Sequence, residues 1–231
     1  MRRAVALLLC LTLVAATASG CSGADATEAQ ALLTQSDTAF AHVKSTTFTA
    51  RLTMTADSQE FGMTMRGGGY VNGKRAGDYY LVATADNLPF RELAVTKESG
   101  RISMTVDGSP VANASVQADD GNPLQVADLS QYVKDVKVEH GRVIDGQTMV
   151  KITGVIDTAG LAKGLLGDVA SGSGLDFSDA LNDTRVVVYL SEATHLPERG
   201  LIDMSIELDG QTVEMHLDLA YTSYNERVEF P

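Results

Sequence analysis

Residues 202–221 read IDMSIELDGQTVEMHLDLAY, and apolar and polar side chains alternate along both halves of this stretch. Asp209-Gly210 separates the two halves and is typical of a tight turn between neighbouring strands. Alternation predicts strands with one apolar and one polar face, because successive side chains of a strand point to opposite sides. This pattern is typical of antiparallel sheets that are covered on one face only. The chain is therefore predicted to end in an antiparallel meander.

The same alternation recurs nearer the amino terminus, over Phe48–Ala56 and again over Phe61–Met65. Predicted strands outnumber predicted helices, and the strand–helix–strand rhythm of a parallel sheet is missing. Apolar residues at helical spacing predict one helix over residues 27–45, beginning at the capping-box sequence Thr27-Glu28-Ala29-Gln30. A second, glycine-bearing helix is predicted over residues 157–169. The fold class is therefore α+β, with one large antiparallel sheet and helices on its apolar face.

Two glycine-rich stretches interrupt these patterns. Gly67-Gly68-Gly69 predicts a bulge or a sharp bend in a strand. Glycine and serine are also frequent over Ser171–Asp183, which predicts a flexible loop after the glycine-bearing helix. If the protein opens to admit a ligand, we expect residues 157–183 to move, because functional lids come from the least stable part of a fold.

The first twenty residues have the pattern of an export signal, in which Arg2 and Arg3 precede an apolar run over residues 4–16. The run is too short to span a bilayer stably, and a short transmembrane anchor is the alternative. Ala18-Ser19-Gly20-Cys21 then resembles a bacterial lipobox, although that motif usually has Leu where this chain has Ala18. We expect a signal peptide over residues 1–20, a tether with a lipidated Cys21 over residues 21–26, and one domain over residues 27–231.

The cysteine count supports lipidation. The chain has two cysteines, and Cys10 is lost with the signal. Cys21 then has no partner for a disulfide, so its thiol either has another use or stays free. Lipidation gives it a use, since each buried acyl methylene contributes about 0.8 kcal/mol and two chains hold a protein stably on a membrane. The expected location is the extracytoplasmic face of the cell membrane.

Composition and motifs exclude several function classes. The 231 residues are 44% hydrophobic, which is enough for a core, and the net charge of −12 repels the phosphates of nucleic acids. No nucleophile elbow, phosphate loop or zinc-binding motif occurs. Glu214, His216 and Asp218 share one side of a strand, where a solvated surface is expected rather than a metal site. We expect no enzyme, no catalytic residue, no cofactor and no metal.

The methionines form the clearest compositional feature. Seven follow Met1, and six of these lie on predicted apolar strand faces. Methionine is flexible and polarizable, and it suits surfaces that adapt to variable apolar partners. Ordinary filling of a core is the alternative.

The order of these elements is similar to that of the actinobacterial LppX/LprG group of lipoproteins, which share a LolA/LolB-like architecture. The resemblance covers the mature chain and rests on Cys21, the segment His42-Val43-Lys44-Ser45, the strand Thr46–Thr55, the hairpin Leu93–Val106, the unit over residues 151–166 and the ending Tyr221–Glu226. It implies a curved antiparallel half-barrel whose helices close a hydrophobic cavity on the concave apolar face. It also implies a monomer that binds acylated lipid or glycolipid and helps to carry it from the plasma membrane toward the outer envelope.

The predicted inward residues are the candidate ligand contacts. We expect the cavity to be lined by Leu52, Met54, Met63, Met65, Met104, Val188, Met204 and Leu217. The expected partners are the lipid and, through the anchor, the plasma membrane, and a membrane transporter is a further candidate partner. The alternative hypothesis is a non-catalytic surface interaction or sensor module with a packed core.

Overall fold

The computed structural model describes residues 21–57, 59–85, 91–111, 129–157, 181–208 and 211–231. Within these ranges there are two helices, α1 (Cys21–Phe40) and α2 (Leu129–Tyr132). The strands are β1 (Ser45–Ala56), β2 (Gln59–Tyr70), β3 (Tyr79–Ala85), β4 (Glu92–Glu98), β5 (Arg101–Val106), β6 (Ser109–Pro110), β7 (Val133–Ile144), β8 (Gln147–Ile156), β9 (Leu181–Ser191), β10 (Pro197–Leu208) and β11 (Gln211–Tyr224).

All eleven strands belong to one antiparallel sheet, in the order β6-β5-β4-β3-β2-β1-β11-β10-β9-β8-β7. The first long strand, β1, lies in the middle and pairs with both β2 and β11. From this centre the chain adds hairpins outward on both sides, so that β6 and β7 are the two edges and the sheet does not close. The α+β class with one large antiparallel sheet is confirmed.

Helix α1 packs on one half of the sheet. Leu33 and Ala29 are fully buried on its inner side. They contact a cluster from β7, β8 and β9, whose buried members are Val133, Val136, Val150, Ile152, Ile156, Val186, Val188 and Leu190. The β-branched and leucine side chains of these strands make a close-packed core with the helix. Within the described ranges, no helix is both long enough and apolar enough to cross a membrane.

The helix lies earlier in the sequence than its predicted span of residues 27–45. It begins at Cys21, so that the residues expected to form an extended tether are helical, and Thr27 lies inside the helix. The helix ends at Phe40, where hydrogen bonds from Asn72 hold the residues that follow in a non-helical conformation. The Asn72 side-chain amide donates to the carbonyls of Ala41 and Val43, at 2.9 and 2.7 Å, and holds the chain in a turn that leads into β1.

The triple glycine has a different role from the predicted bulge or bend. The β1–β2 register is continuous from Ser45 to Ala56, and β2 runs through Gly69 without interruption. A Cβ atom on Gly67 would lie 2.6 Å from the Phe48 ring, and one on Gly68 would lie 2.8 Å from Thr47 Cγ2. These glycines therefore allow side chains of β1 to lie flat across β2.

The predicted loop over Ser171–Asp183 is wrong at its end. Residues 181–183 are the first residues of β9, because pairing with β10 extends the strand and brings Leu181 opposite Ile206. Asp157, the first residue of the predicted glycine-bearing helix, is not helical, and its amide donates to the Tyr132 carbonyl. The rest of that helix, residues 171–180 of the loop and the signal segment over residues 1–20 lie outside the described residues.

We predict that Leu33→Ala destabilises the protein by about 2–5 kcal/mol, because it removes a fully buried side chain from the contact between α1 and the sheet. The measurement is the free energy of unfolding from urea denaturation. Gln35→Ala is the matched control, since Gln35 is exposed on the same helix and should change stability by less than about 0.5 kcal/mol. Equal losses in the two variants would contradict this packing of α1.

Candidate functional site

The strand register places a continuous series of apolar side chains on one side of the sheet. Residues directly opposite each other in an antiparallel pair project to the same side. Leu52 of β1 lies opposite Met63 of β2 and Leu217 of β11, and Leu217 lies opposite Ile202 of β10. Helix α1 packs on this same side, because Ile202 packs against the buried cluster to which Ala29 and Leu33 of α1 belong. We call this side the apolar face.

All eight predicted ligand contacts lie on the apolar face. Met54 lies opposite Met215, which in turn lies opposite Met204. Met65 lies between Ala50 and Ala83, and Met104 of β5 lies opposite Val95 of β4. The register then links β4 through β3 to the glycine stretch of β2. The structure thus brings onto one surface residues that are up to 165 positions apart in the chain, as Leu52 and Leu217 are.

Burial divides these eight residues into two groups. Val188 is only 4% exposed and belongs to the core beneath α1. The other seven are partly exposed and belong to neither of the two buried clusters. The apolar face therefore has a closed part, under α1, and a partly exposed part on β1, β2, β5, β10 and β11.

Several residues of the partly exposed part were not among the predicted contacts. These residues are apolar and partly exposed, and each lies directly opposite a predicted contact or two positions along the strand from such a residue. They are Phe61, Val95, Val213 and Met215. The alternating pattern already indicated that they face inward. Their position beside the predicted contacts could not be read from the sequence, because it depends on the register between strands.

An aromatic cluster bounds the apolar face where α1 ends. Phe40 makes edge-on contacts with Tyr221 and Tyr224, at centroid distances of 6.1 and 6.3 Å, and the two tyrosine rings are stacked at 5.5 Å. Burial raises the pKa of both phenols, so they stay protonated at neutral pH. The Tyr224 hydroxyl donates to the Pro197 carbonyl. The cluster fixes the end of α1 against β11.

Glu198 is the acidic group next to this cluster. Burial raises the pKa of its carboxyl group. Its negative charge also contributes to the raised pKa of Tyr224, after burial and the charge of Tyr221. Glu198 follows Pro197 near the start of β10 and borders a groove that is also lined by Tyr221.

The opposite face of the sheet is polar and carries two grooves. One, of about 440 Å³, is lined by residues that include Thr49, Arg51, Arg199 and Asp218 and by the Ile144–Asp145 turn. The other, of about 640 Å³, is lined by residues of β1, β9, β10 and β11 that include Thr53, Arg185, Asp203 and His216. Alternation along each strand places most of these lining residues on the polar side, and Met204 and Met215 of the apolar face also border the larger groove.

Ion pairs occupy His216 and Asp218, two of the three side chains that were considered as metal ligands. Arg199 holds Asp218 through two hydrogen bonds, at 2.8 and 2.5 Å. His216 Nδ1 lies 2.5 Å from Asp203 Oδ1. Among the described residues, no three His, Cys, Asp or Glu side chains are grouped so that they could hold a metal ion. The arrangement fits a solvated sheet surface that is stabilised by cross-strand charge pairs.

Arg199 lowers the pKa of the Asp218 carboxyl through these hydrogen bonds, against the opposing effect of burial. A lowered native pKa stabilises the fold above the unfolded pKa of about 3.9, and this contribution is lost as pH falls through the native pKa. We predict that Asp218→Asn costs about 1 kcal/mol at neutral pH, and that the difference from wild type disappears in acid. Urea unfolding at several pH values is the measurement.

The control is Asp203→Asn on the same face. Asp203 and His216 are both about half exposed, so this variant should change the unfolding free energy by only a few tenths of a kcal/mol. An Asp218→Asn loss that persists unchanged below the native pKa would show that the charge pair is not its cause.

Comparison with known proteins bears on the fold. No protein-family model matches the chain, and no curated protein sequence is significantly similar to it. Among solved structures, LprF from Mycobacterium bovis is 16% identical with a TM-score of 0.52, and the alignment covers 89% of this chain and 96% of LprF. Lipoprotein LppX from Mycobacterium tuberculosis is 17% identical, with a TM-score of 0.49 over 88% of this chain and 98% of LppX.

The likeness to LprF shows the fold of this chain. The sheet is a large open antiparallel sheet with the fold of LprF. At this level of identity the comparison carries no functional residue from one chain to the other. The function must therefore be argued from the surfaces of this molecule.

Proposed function

We propose that the protein is a lipid-anchored lipoprotein of the LppX/LprG type, which binds acylated lipid or glycolipid on its apolar face and helps to move it from the plasma membrane toward the outer envelope. The observation that carries the proposal is the partly exposed part of the apolar face. A single surface holds Leu52, Met63, Met204 and Leu217, all partly exposed and all in register. The likeness to an open half-barrel fold supports it.

The chemistry of this surface suits an acyl chain. Large contiguous apolar patches on a protein mark sites for apolar partners, since leaving them in water is costly. Each methylene that moves from water onto such a surface contributes about 0.8 kcal/mol. Methionine side chains adapt to chains of different shape, which suits a carrier that must bind and release its ligand. The ligand would contact the seven partly exposed residues, while Val188 supports them from the core beneath α1.

The anchor follows from Cys21. We propose that its thiol is alkylated and that residues 1–20 are removed. Because α1 begins at Cys21, the chain between anchor and sheet would be a helix with a rise of about 1.5 Å per residue. This is a shorter and stiffer link than an extended tether, so the domain would lie close to the extracytoplasmic face of the plasma membrane. In this position a monomer could exchange lipid with the bilayer or with a membrane transporter.

The proposal assigns no catalytic residue and no cofactor. Binding and release of an acyl chain require only that the apolar contacts be made and broken, and no covalent step is involved. The alternative of a ligand-free interaction or sensor module predicts that no lipid accompanies the purified protein. Organic extraction of the Cys21→Ala protein followed by mass spectrometry separates the two hypotheses, because any lipid recovered from that variant cannot come from the anchor.

We predict that Cys21→Ala releases the exported protein from the membrane. Loss of the acyl chains removes the only anchor that the proposal assigns, and a single mature thiol leaves no second lipidation site. Partition between detergent and aqueous phases is the measurement. Identical partition of wild type and variant would refute lipidation at Cys21.

We predict that Leu52→Asp lowers the affinity for a fluorescent fatty acid by at least about ten-fold, because it places a charge in the middle of the apolar face. Thr53→Asp is the matched control, since Thr53 is the next residue of β1 and lies on the polar face beside the groove. The control should bind as the wild type does.

Circular dichroism and urea unfolding establish that each variant is folded. If Leu52→Asp does not fold, Leu217→Asn tests the same surface with a smaller change, on the strand paired with β1. Equal affinities of the inward and outward variants would exclude the apolar face as the binding site.

A further inference from the structure

Six of the seven methionines after Met1 lie on the apolar face, and three of them are in line across neighbouring strands. Met54 of β1 lies directly opposite Met215 of β11, which lies directly opposite Met204 of β10. We call these three residues the methionine row. Opposite residues have Cβ atoms about 4.5–5.5 Å apart, so the flexible thioethers of the row form one continuous strip. Phe61 lies opposite Met54 on the other side of β1.

The row is accessible, and the chain contains an internal reference for it. All three side chains of the row are partly exposed. Met149 is 5% exposed and lies on the polar side of β8, where it faces the smaller groove. Accessible thioethers react with oxidants faster than buried ones. The two environments therefore predict a clear order of reaction within one molecule.

Few other side chains compete for an oxidant. The chain has no tryptophan, and its only cysteines are Cys10, in the signal segment, and Cys21. If Cys21 carries the anchor, its sulfur is already a thioether, and the mature protein has no free thiol that an oxidant could attack. Methionine sulfur is then the main target for an oxidant. The methionine row is the largest set of methionines that lie opposite one another on adjacent strands.

We propose that the methionine row is a reversible oxidation site that controls the affinity of the apolar face for its ligand. The oxidant is a hypohalous acid or a peroxide. With hypochlorous acid, the thioether sulfur donates an electron pair and gains an oxygen atom, and the products are a sulfoxide, chloride and a proton. With hydrogen peroxide, the products are a sulfoxide and water. Methionine sulfoxide reductases restore the thioether with a dithiol as the reductant, so that the oxygen leaves as water and the dithiol becomes a disulfide.

The effect on binding follows from the surroundings of the row. A sulfoxide oxygen is a strong hydrogen-bond acceptor, whereas the neighbours of the row on this face are apolar. Phe61 lies opposite Met54, and Ile202 and Val213 lie two positions along the strand from Met204 and Met215. When an acyl chain covers the sulfoxide oxygen, the oxygen loses its hydrogen bonds to water. The acyl chain has no hydrogen-bond donor to replace them, so binding becomes less favourable. Oxidation should therefore release the ligand and leave the fold in place. This inference rests on the proposed function, since it assumes an apolar ligand.

The experiment treats the purified Cys21→Ala protein with increasing hypochlorous acid and maps oxidation by peptide mass spectrometry. Binding of a fluorescent fatty acid is measured before oxidation, after it, and after treatment with methionine sulfoxide reductases. We expect Met54, Met204 and Met215 to gain oxygen before Met149 does. Affinity should fall by about ten-fold when the row is oxidised, and the reductases should restore it.

Two variants test whether the row itself is responsible. The affinity of the triple variant M54L/M204L/M215L is measured first without oxidant and serves as its own reference, and the same treatment should not lower it further. The control variant Met149→Leu should lose affinity as the wild type does. Unchanged binding after full oxidation of the row, equal loss in the triple variant, or oxidation of Met149 at the same rate as the row would each overturn the proposal.

Failure of the proposed function would be recognised separately. If unoxidised protein binds no fatty acid and carries no extractable lipid, the apolar face is not a lipid site, and control of affinity by the row fails with it. If unoxidised protein binds fatty acid and oxidation has no effect, the proposed function stands and only the oxidation site is refuted.

Discussion

The pairing of β1 with β11 is the interaction on which the rest of the structure depends. It is one of the longest ladders in the sheet, it lies at the centre, and it joins the two series of hairpins that extend to the edges. Side-chain contacts reinforce it beyond the ladder. Just after β11, the side-chain oxygen of Asn225 accepts a hydrogen bond from the Lys44 backbone amide at 2.8 Å, and the Asn225 backbone amide donates to the Ser45 carbonyl. Without this ladder the molecule would be two separate small sheets, each with half an apolar face.

The width of the sheet explains why an apolar surface is left for a ligand. Eleven strands at about 4.8 Å spacing span roughly 48 Å, whereas a helix with its side chains covers a strip only about 10–12 Å wide. Helix α1 accordingly buries Val186, Val188 and Leu190 and leaves Leu52 and Met63 partly exposed. Among the residues that the structure describes, the sheet is wider than α1 can cover, and part of its apolar surface is available for a ligand. This imbalance between sheet and helix is the physical basis of the proposed lipid site.

The sequence predicts one level of this structure well and another poorly. Alternation along a strand is local, so the inward direction of Leu52, Met204 and Leu217 could be predicted before the fold was known. The burial of Val188 could not be predicted, because it depends on which strands α1 crosses. The alignment of Met54 with Met215 and Met204 could not be predicted either, because it depends on the register between three strands. Residues on one strand face are thus predictable, whereas their neighbours on the surface are a tertiary property.

Two errors about local structure have the same origin. The capping-box pattern at Thr27 is real in sequence, but the helix continues through it to Cys21. The triple glycine suggested an irregular strand, but its role is to let the Phe48 ring lie across β2 at Gly67. In both cases the local sequence pattern is compatible with two conformations, and contacts with residues elsewhere in the molecule determine which one forms.

The central position of β1 also sets the order in which the chain can fold. Thr46 hydrogen-bonds to Ser223, 177 residues later, so one side of β1 has no partner until almost the whole chain is present. Contacts at such separation are slow to form, since a very long loop must close before any of them is made. A chain that leaves a ribosome or an export channel with its amino terminus first would complete β2 to β5 early and still lack its central ladder. Such a delay keeps a polypeptide extended while it is being threaded through a pore, and it leaves an unpaired strand for a holding chaperone to protect. Final assembly would then begin only when residues 211–224 emerge, so that the last strand to be delivered is the one that joins the two halves of the sheet.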